Sequence, residues 1–277
     1  MSQTTAAPKA PLTHRIRTWL GDNALRIYAV IAFVYLLLPV AYTFAFSFND
    51  AGRTNIVWNS FTFDNWLNPC GAPEVCPSVV NSLWVGLIVT IVSTILGTLI
   101  AFSLVRYRFR GRATTNLLIF LPMATPEVVL GSSLLALFLN LFVPLGATTV
   151  ILAHIMFCIS FVVTNVKARL QSLDPKLEEA AQDLYADPRS TFWRVTFPLA
   201  LPGIAAAALL SFSLSFDDFI ITNFVSGDAT TFPKFVYVSY LRGIPAEANV
   251  VGFSMFVIAV LLTVAGQAIS TRAQKGI

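Results

Sequence analysis

Apolar residues run along this chain in six long blocks: Ile27–Phe48, Val79–Val105, Leu117–Leu141, Ala147–Val166, Leu201–Val225 and Val250–Thr271. Each is close to the roughly 20 residues that a helix needs to cross a hydrocarbon core of about 30 Å. A membrane-spanning strand would be about ten residues of alternating polarity, a pattern none of the blocks shows. The chain is therefore predicted to be an all-α membrane protein, with six transmembrane helices in a domain over residues 27–271. A tail of residues 1–26 precedes that domain and a tail of residues 272–277 follows it. The first block is too long for the core of a signal peptide and lacks a clear Ala-x-Ala site, so it reads as a retained span.

Between the fourth and fifth blocks the pattern changes. The stretch "EEAAQDLYADPRSTFWRVTFPLALP", Glu178–Pro202, mixes acids and arginines with helix punctuation. Asp174-Pro175 and Asp187-Pro188 each pair a capping acid with a proline suited to a first helical turn. Glu178 and Glu179 follow where a helix dipole favours acids. Residues 167–200 thus predict a helix, a turn and a second helix, with Pro198 and Pro202 bracketing the return into the membrane. Phe192, Trp193 and Phe197 are costly to leave in water and need a packing partner on this chain or another.

Composition supports the membrane reading. Hydrophobic residues make up 56% of the chain and charged residues 12%, about half the charged share of a typical soluble domain. The net charge of +4 would suit nucleic-acid binding in a soluble protein, but no nucleic-acid motif accompanies it. The positions of the charges explain it better. Fifteen of the 18 Lys and Arg lie in the N-terminal tail, the loop Arg106–Arg112, the loop 167–200 and the C-terminal tail. Arg53, Lys234 and Arg242 lie in the alternate loops. By the positive-inside rule both termini and the helical loop face the cytoplasm. The opposite loop, Asn49–Ser78, holds Cys70 and Cys76, which in an oxidising compartment either pair in a disulfide or stand as free thiols.

Four residues inside the blocks can ionise. Glu127 lies near mid-bilayer in the third block, where Pro122 and Pro126 are expected to interrupt the helix. Asp217 and Asp218 lie in the fifth, pointing about 100° apart if the helix is continuous. His154 lies in the fourth. Such groups cost a few kcal/mol or more unless paired or wetted, and so mark candidate solute paths. With no Lys or Arg deep in any block, an acid-lined path suits a cationic solute. Counter-charge from a companion subunit, or protonation of the acids, would fit the same sequence. The chain carries no G-x-x-x-x-G-K-[ST] phosphate loop, no G-x-S-x-G and no H-E-x-x-H, which argues against an ATPase, a hydrolase or a metal site within it. A self-contained carrier would show an internal repeat, and none is evident.

The spacing Glu179-Ala180-Ala181, three residues, Tyr185, nine residues from Ala186, then Val195-Thr196-Phe197-Pro198 resembles the signature loop of ABC-importer permease subunits. Tyr185 stands where that family has glycine. "FSFND", "RYRFRGR", "TPEVV", "AHIMFCISFVV" and "SFSLSFDDFIITNFVSG" resemble the second permease subunit of spermidine/putrescine importers. Permeases for opines, aminophosphonates or ferric iron share parts of these blocks. The resemblance implies an ABC-importer permease fold in the inner membrane, with 167–200 as a coupling loop and Glu178, Glu179, Ala180, Ala181, Tyr185, Ala186 and Pro198 as its ATPase-coupling residues. It also implies a second, homologous permease chain, two ATPase subunits that carry the ATP and magnesium, and an extracytoplasmic binding protein. No cofactor is implied in this chain itself.

Overall fold

A computed structural model describes the backbone of residues 12–52 and 54–275, with side chains over 23–261 except at Arg53, and at Val264. The first part of the expected N-terminal tail, Arg53 and the last two residues lie outside the described residues. The helices are α1 (Leu12–Phe46), α2 (Asp64–Leu67), α3 (Val75–Arg106), α4 (Arg112–Ala124), α5 (Glu127–Asn140) and α6 (Ala147–Gln171). After these come α7 (Lys176–Asp183), α8 (Pro188–Thr191), a π-helical turn (Phe192–Thr196), α9 (Phe197–Asp217), α10 (Ile220–Val225), α11 (Phe232–Arg242) and α12 (Ala246–Lys275).

Four runs are long and apolar enough to cross a membrane: Asn23–Phe46, Val75–Arg106, Ala147–Gln171 and Pro188–Asp217. Two of the expected spans are broken, the third block where a proline interruption is expected and the fifth where none is. The third block bends by 108° between α4 and α5. Pro126 has no N–H to give and pushes Thr125 into an extended conformation (φ −85°, ψ 131°). Pro122, by contrast, stays inside α4. The fifth block ends as a helix at Asp217, and Asp218 is extended (φ −65°, ψ 119°) before α10 begins. The sixth block lies in α12, whose side chains beyond Leu261 fall largely outside the described residues.

The chain forms two compact units, Ala72–Ile244 and the remainder, Met1–Gly71 with Pro245–Ile277. In the first of these, α3, α6 and α9 pack into a core. Small residues line their shared faces. Ser93, Gly97 and Ala101 are buried at four-residue spacing on α3, and Ala207, Ser211 and Ser215 on α9. Lipid offers no hydrophobic drive between apolar helices, so close backbone approach and hydrogen bonds across small residues hold them together. The Ser93 and Ser211 hydroxyls bond at 2.7 Å in that seam. A Cβ on Gly97 would sit 2.6 Å from Val162 Cγ1. Gly97→Val is therefore expected to destabilise the unit by about 1–3 kcal/mol through overpacking, read as a lower unfolding temperature in detergent.

Beyond the break, α10 packs between α5 and α6. Thr149 Oγ1 on α6 donates to the Val225 carbonyl at 2.6 Å. Lys234 fixes the following turn: its ammonium donates to Ser226 Oγ at 2.7 Å and to the carbonyls of Gly227 and Ala229 at 2.7 and 3.1 Å. Burial pushes its pKa down, opposed by the nearby charge of Asp228.

In the other unit, the "FSFND" block is a structural knot. Asn49 and Asn55 are buried, with Asn49 Nδ2 donating to Asn55 Oδ1 at 2.7 Å and Asn49 Oδ1 accepting from Asn59 N at 2.8 Å. The Phe48 ring stacks on Phe61 and Trp66, and Phe44 on α1 meets Phe253 on α12. Cys70, at the end of this segment, and Cys76, at the start of α3, are each disulfide-bonded, while Cys158, on α6 of the Ala72–Ile244 unit, is free and buried.

Candidate functional site

Both helix breaks open on one cavity of about 390 Å³, lined by Glu127, Phe157, Ser213, Leu214, Asp217, Asp218, Phe219 and Ile220. Non-helical backbone at membrane depth is tolerated where protein or a wet cavity satisfies it, so the breaks and the cavity belong together. Glu127 stands in the first turn of α5, where the helix dipole favours an anion. All three expected acids reach this cavity, and among the described residues no Lys or Arg lines it.

Asp217 and Asp218 are not equivalent. Asp217 is exposed at the end of α9, whereas Asp218 is buried. Asp218 Oδ1 accepts from the Thr222 backbone N–H at 2.8 Å and lies 3.1 Å from His154 Nε2. The same nitrogen is 3.0 Å from Thr222 Oγ1, and His154 Nδ1 is 2.9 Å from Ser215 Oγ. The roles of the two ring nitrogens depend on the tautomer; a proton on Nε2 serves the carboxylate and lets Nδ1 accept from the Ser215 hydroxyl. His154 is thus a splint across the break, from the last turn of α9 to α10. It is buried and is not among the residues lining the cavity, which it meets through Asp218. Sequence reasoning does not single out Ser215 and Thr222. Their only signal there is hydroxyl side chains three before and four after an acid.

The loop forms the expected two helices. Asp174 Oδ1 accepts from the backbone N–H of Lys176, the first residue of α7, at 3.0 Å. Ala180 and Ala181 carry the carbonyls that close its end, accepting from Leu184 N at 3.3 Å and Ala186 N at 3.1 Å. Tyr185 takes the left-handed conformation (φ 63°) and is 99% exposed. The motif's glycine-type turn is therefore made by tyrosine, at a cost of about 1–2 kcal/mol. Pro198 and Pro202 do not interrupt the chain's return to the membrane, since Pro188–Asp217 is one continuous helix. The π turn explains how: Phe197 N bonds back five residues to the Phe192 carbonyl, loosening the backbone where a proline ring would otherwise clash with the preceding turn.

Phe192 packs on Phe102 of α3, with ring centroids 5.3 Å apart. Leu177, Leu184, Tyr185 and Trp193 leave an apolar surface exposed on the loop. Glu178 is tied down, pairing with Arg106 and accepting from Thr196 Oγ1 at 2.6 Å. Its neighbour Glu179 is exposed.

Apolar helices broken at a shared acidic cavity, with a helical hairpin presenting apolar surface beyond them, define a membrane component of a transport system. The chain belongs to the family of binding-protein-dependent transport system inner membrane components, whose model matches residues 76–276. It is 33% identical to the spermidine/putrescine transport system permease protein PotC of Escherichia coli K12, over 88% of this chain and 92% of that one. It is 36% identical to the putrescine transport system permease protein PotI of the same organism, over 79% and 81% of the two chains. The fold matches a chain of a bacterial ABC transporter for import of the acidic polysaccharide alginate, with a TM-score of 0.60 and 19% identity over 94% of this chain and 99% of that one. A chain of the methionine ABC transporter in inward-facing conformations matches with a TM-score of 0.55 and 19% identity, over 72% and 97%. The protein is an all-α inner-membrane component with the ABC-importer permease fold.

Proposed function

We propose that this chain forms half of the translocation pathway of an ATP-driven importer for polyamines such as spermidine or putrescine. The observation that carries the solute class is the cavity in which Glu127, Asp217 and Asp218 meet without a lining Lys or Arg. Protonated amines on a flexible chain neutralise such a wall, and the Phe157 and Phe219 rings beside the acids add favourable faces for cations. Two relatives above 30% identity carry polyamine names, which supports the same class. Ferric iron fits less well, because among the described residues no group of three or more His, Cys, Asp or Glu is placed to hold a metal ion.

The remaining machinery lies in other chains. Without a phosphate loop, this one needs an ATPase subunit to bind ATP and magnesium. The exposed Glu179 and the apolar surface of the loop are the face it would grip. A second, homologous permease would complete the pathway over a pair of ATPases, with an extracytoplasmic binding protein delivering solute. With the positively charged loops inside, both termini and the coupling loop face the cytoplasm. ATP binding then favours the outward-facing state of a two-state assembly, and hydrolysis resets it.

Glu179→Ala is expected to abolish uptake while the chain still inserts in the membrane, measured by transport assay and membrane fractionation side by side. The function itself is tested by ATP hydrolysis of the reconstituted complex with its binding protein. Spermidine or putrescine should stimulate hydrolysis and a neutral diol of matching length should not. Equal stimulation by both would refute the cationic reading.

A further inference from the structure

Among the described residues, the side-chain hydrogen bonds and ion pairs that tie α7 to the membrane helices are those of Glu178. Its carboxylate pairs with the guanidinium of Arg106, the last residue of α3. It also accepts from the Thr196 hydroxyl at 2.6 Å, and Arg106 NH2 donates to that same hydroxyl oxygen at 3.1 Å. The three groups close a triangle. Thr196 is buried and ends the π turn at the foot of α9. From Thr196 to Asp217 the helix rises 1.5 Å per residue, so the cavity acid sits about 31 Å along the same rigid rod. A half-exposed ion pair adds little to stability. What this triangle supplies is a fixed geometry, because charge-assisted bonds hold their partners at defined distances.

We infer that Arg106, Glu178 and Thr196 form the joint through which a movement of α7 is passed into α3 and α9. Glu178 transmits where Glu179 docks. The inference rests on the reading of α7 as the ATPase-facing helix. The three residues act through the cavity groups rather than on the solute, so they are positioning residues. The π turn suits such a joint, because it puts a loosened turn between α8, the loop's second helix, and the rigid rod of α9. A push on α7 then reaches Thr196 through a side-chain link rather than dissipating in that turn.

The test compares ATP hydrolysed per labelled solute molecule taken up, in the full complex reconstituted with its binding protein. Arg106→Gln and Thr196→Val are expected to keep the ATPase subunit bound yet raise that ratio by about tenfold, an ordinary size for coupling between sites. The swap Arg106→Glu with Glu178→Arg is expected to restore it to within about threefold of the native ratio, since the pair is rebuilt with its charges reversed. If Arg106→Gln fails to accumulate, the near-isosteric Thr196→Val makes the same comparison. A native ratio in the single variants, loss of the ATPase subunit from them, or a swap no better than Arg106→Gln would each overturn the joint. A native complex without ATP-driven uptake of any solute would refute the function first, and the joint with it.

Discussion

Asp217→Asn is expected to cut polyamine uptake by about ten- to a hundredfold, with the amount of chain in the membrane unchanged. The carboxylate stands exposed at the end of α9, lines the cavity, and has no hydrogen-bond or ion-pair partner among the described residues. It is therefore free to meet a passing ammonium. A hydrogen bond to a charged group contributes about 1.5–3 kcal/mol, and each 1.4 kcal/mol is about a factor of ten. Asparagine keeps the shape and removes the charge, so the loss reports charge alone. Asp217→Glu should retain much of the uptake. Unchanged transport by Asp217→Asn, in cells where expression matches the native chain, would show that the cavity charge plays no part.

Asp218→Ala should act in a different way, by destabilising the protein. Asp218 is buried and its Oδ1 serves both the Thr222 N–H and His154 Nε2. Alanine leaves the Thr222 N–H in the interior without an acceptor and leaves His154 Nε2 with Thr222 Oγ1 alone. A buried unsatisfied group costs about 1–3 kcal/mol, a large share of a total of about 5–15. Thermal unfolding of the purified chain should show a large drop for Asp218→Ala and almost none for Asp217→Asn. Asp218→Asn, which keeps one carbonyl-type acceptor, should fall between them. Equal shifts at the two adjacent acids would contradict the division of roles.

The contrast between these neighbours shows what the sequence could and could not reveal. Five of the six expected spans, one of them as a bent pair of helices, were legible because span length is set by the bilayer and apolar character by the absence of water. Pro126 announced its break because proline acts locally on the residue before it. The break at Asp218 had no such sign: no proline or glycine stands there, and the splint that holds it, His154, is 64 residues away. A neighbour that far along the chain leaves no mark on local periodicity. The same distance problem hid the difference between Glu178 and Glu179, since Arg106 lies 72 residues upstream.

Pro198 and Pro202 bracket the chain's return to the membrane without ending a helix, because the π turn absorbs the first and the helix runs through both. Tyr185, a residue that rarely takes a left-handed turn, nevertheless takes it where the motif's spacing puts glycine. There the spacing foretold the backbone better than the residue's own preference. The loop's aromatic residues plainly needed a packing partner, but only the fold shows Phe102 of α3 beneath Phe192.

The most direct measurement is uptake of labelled spermidine and putrescine by cells expressing the complete transporter, with this chain present or deleted. ATP-dependent uptake that requires the chain and is inhibited by excess unlabelled polyamine is the expected result. Equal uptake without the chain, or none from an assembled complex that hydrolyses ATP with some other solute, would contradict it.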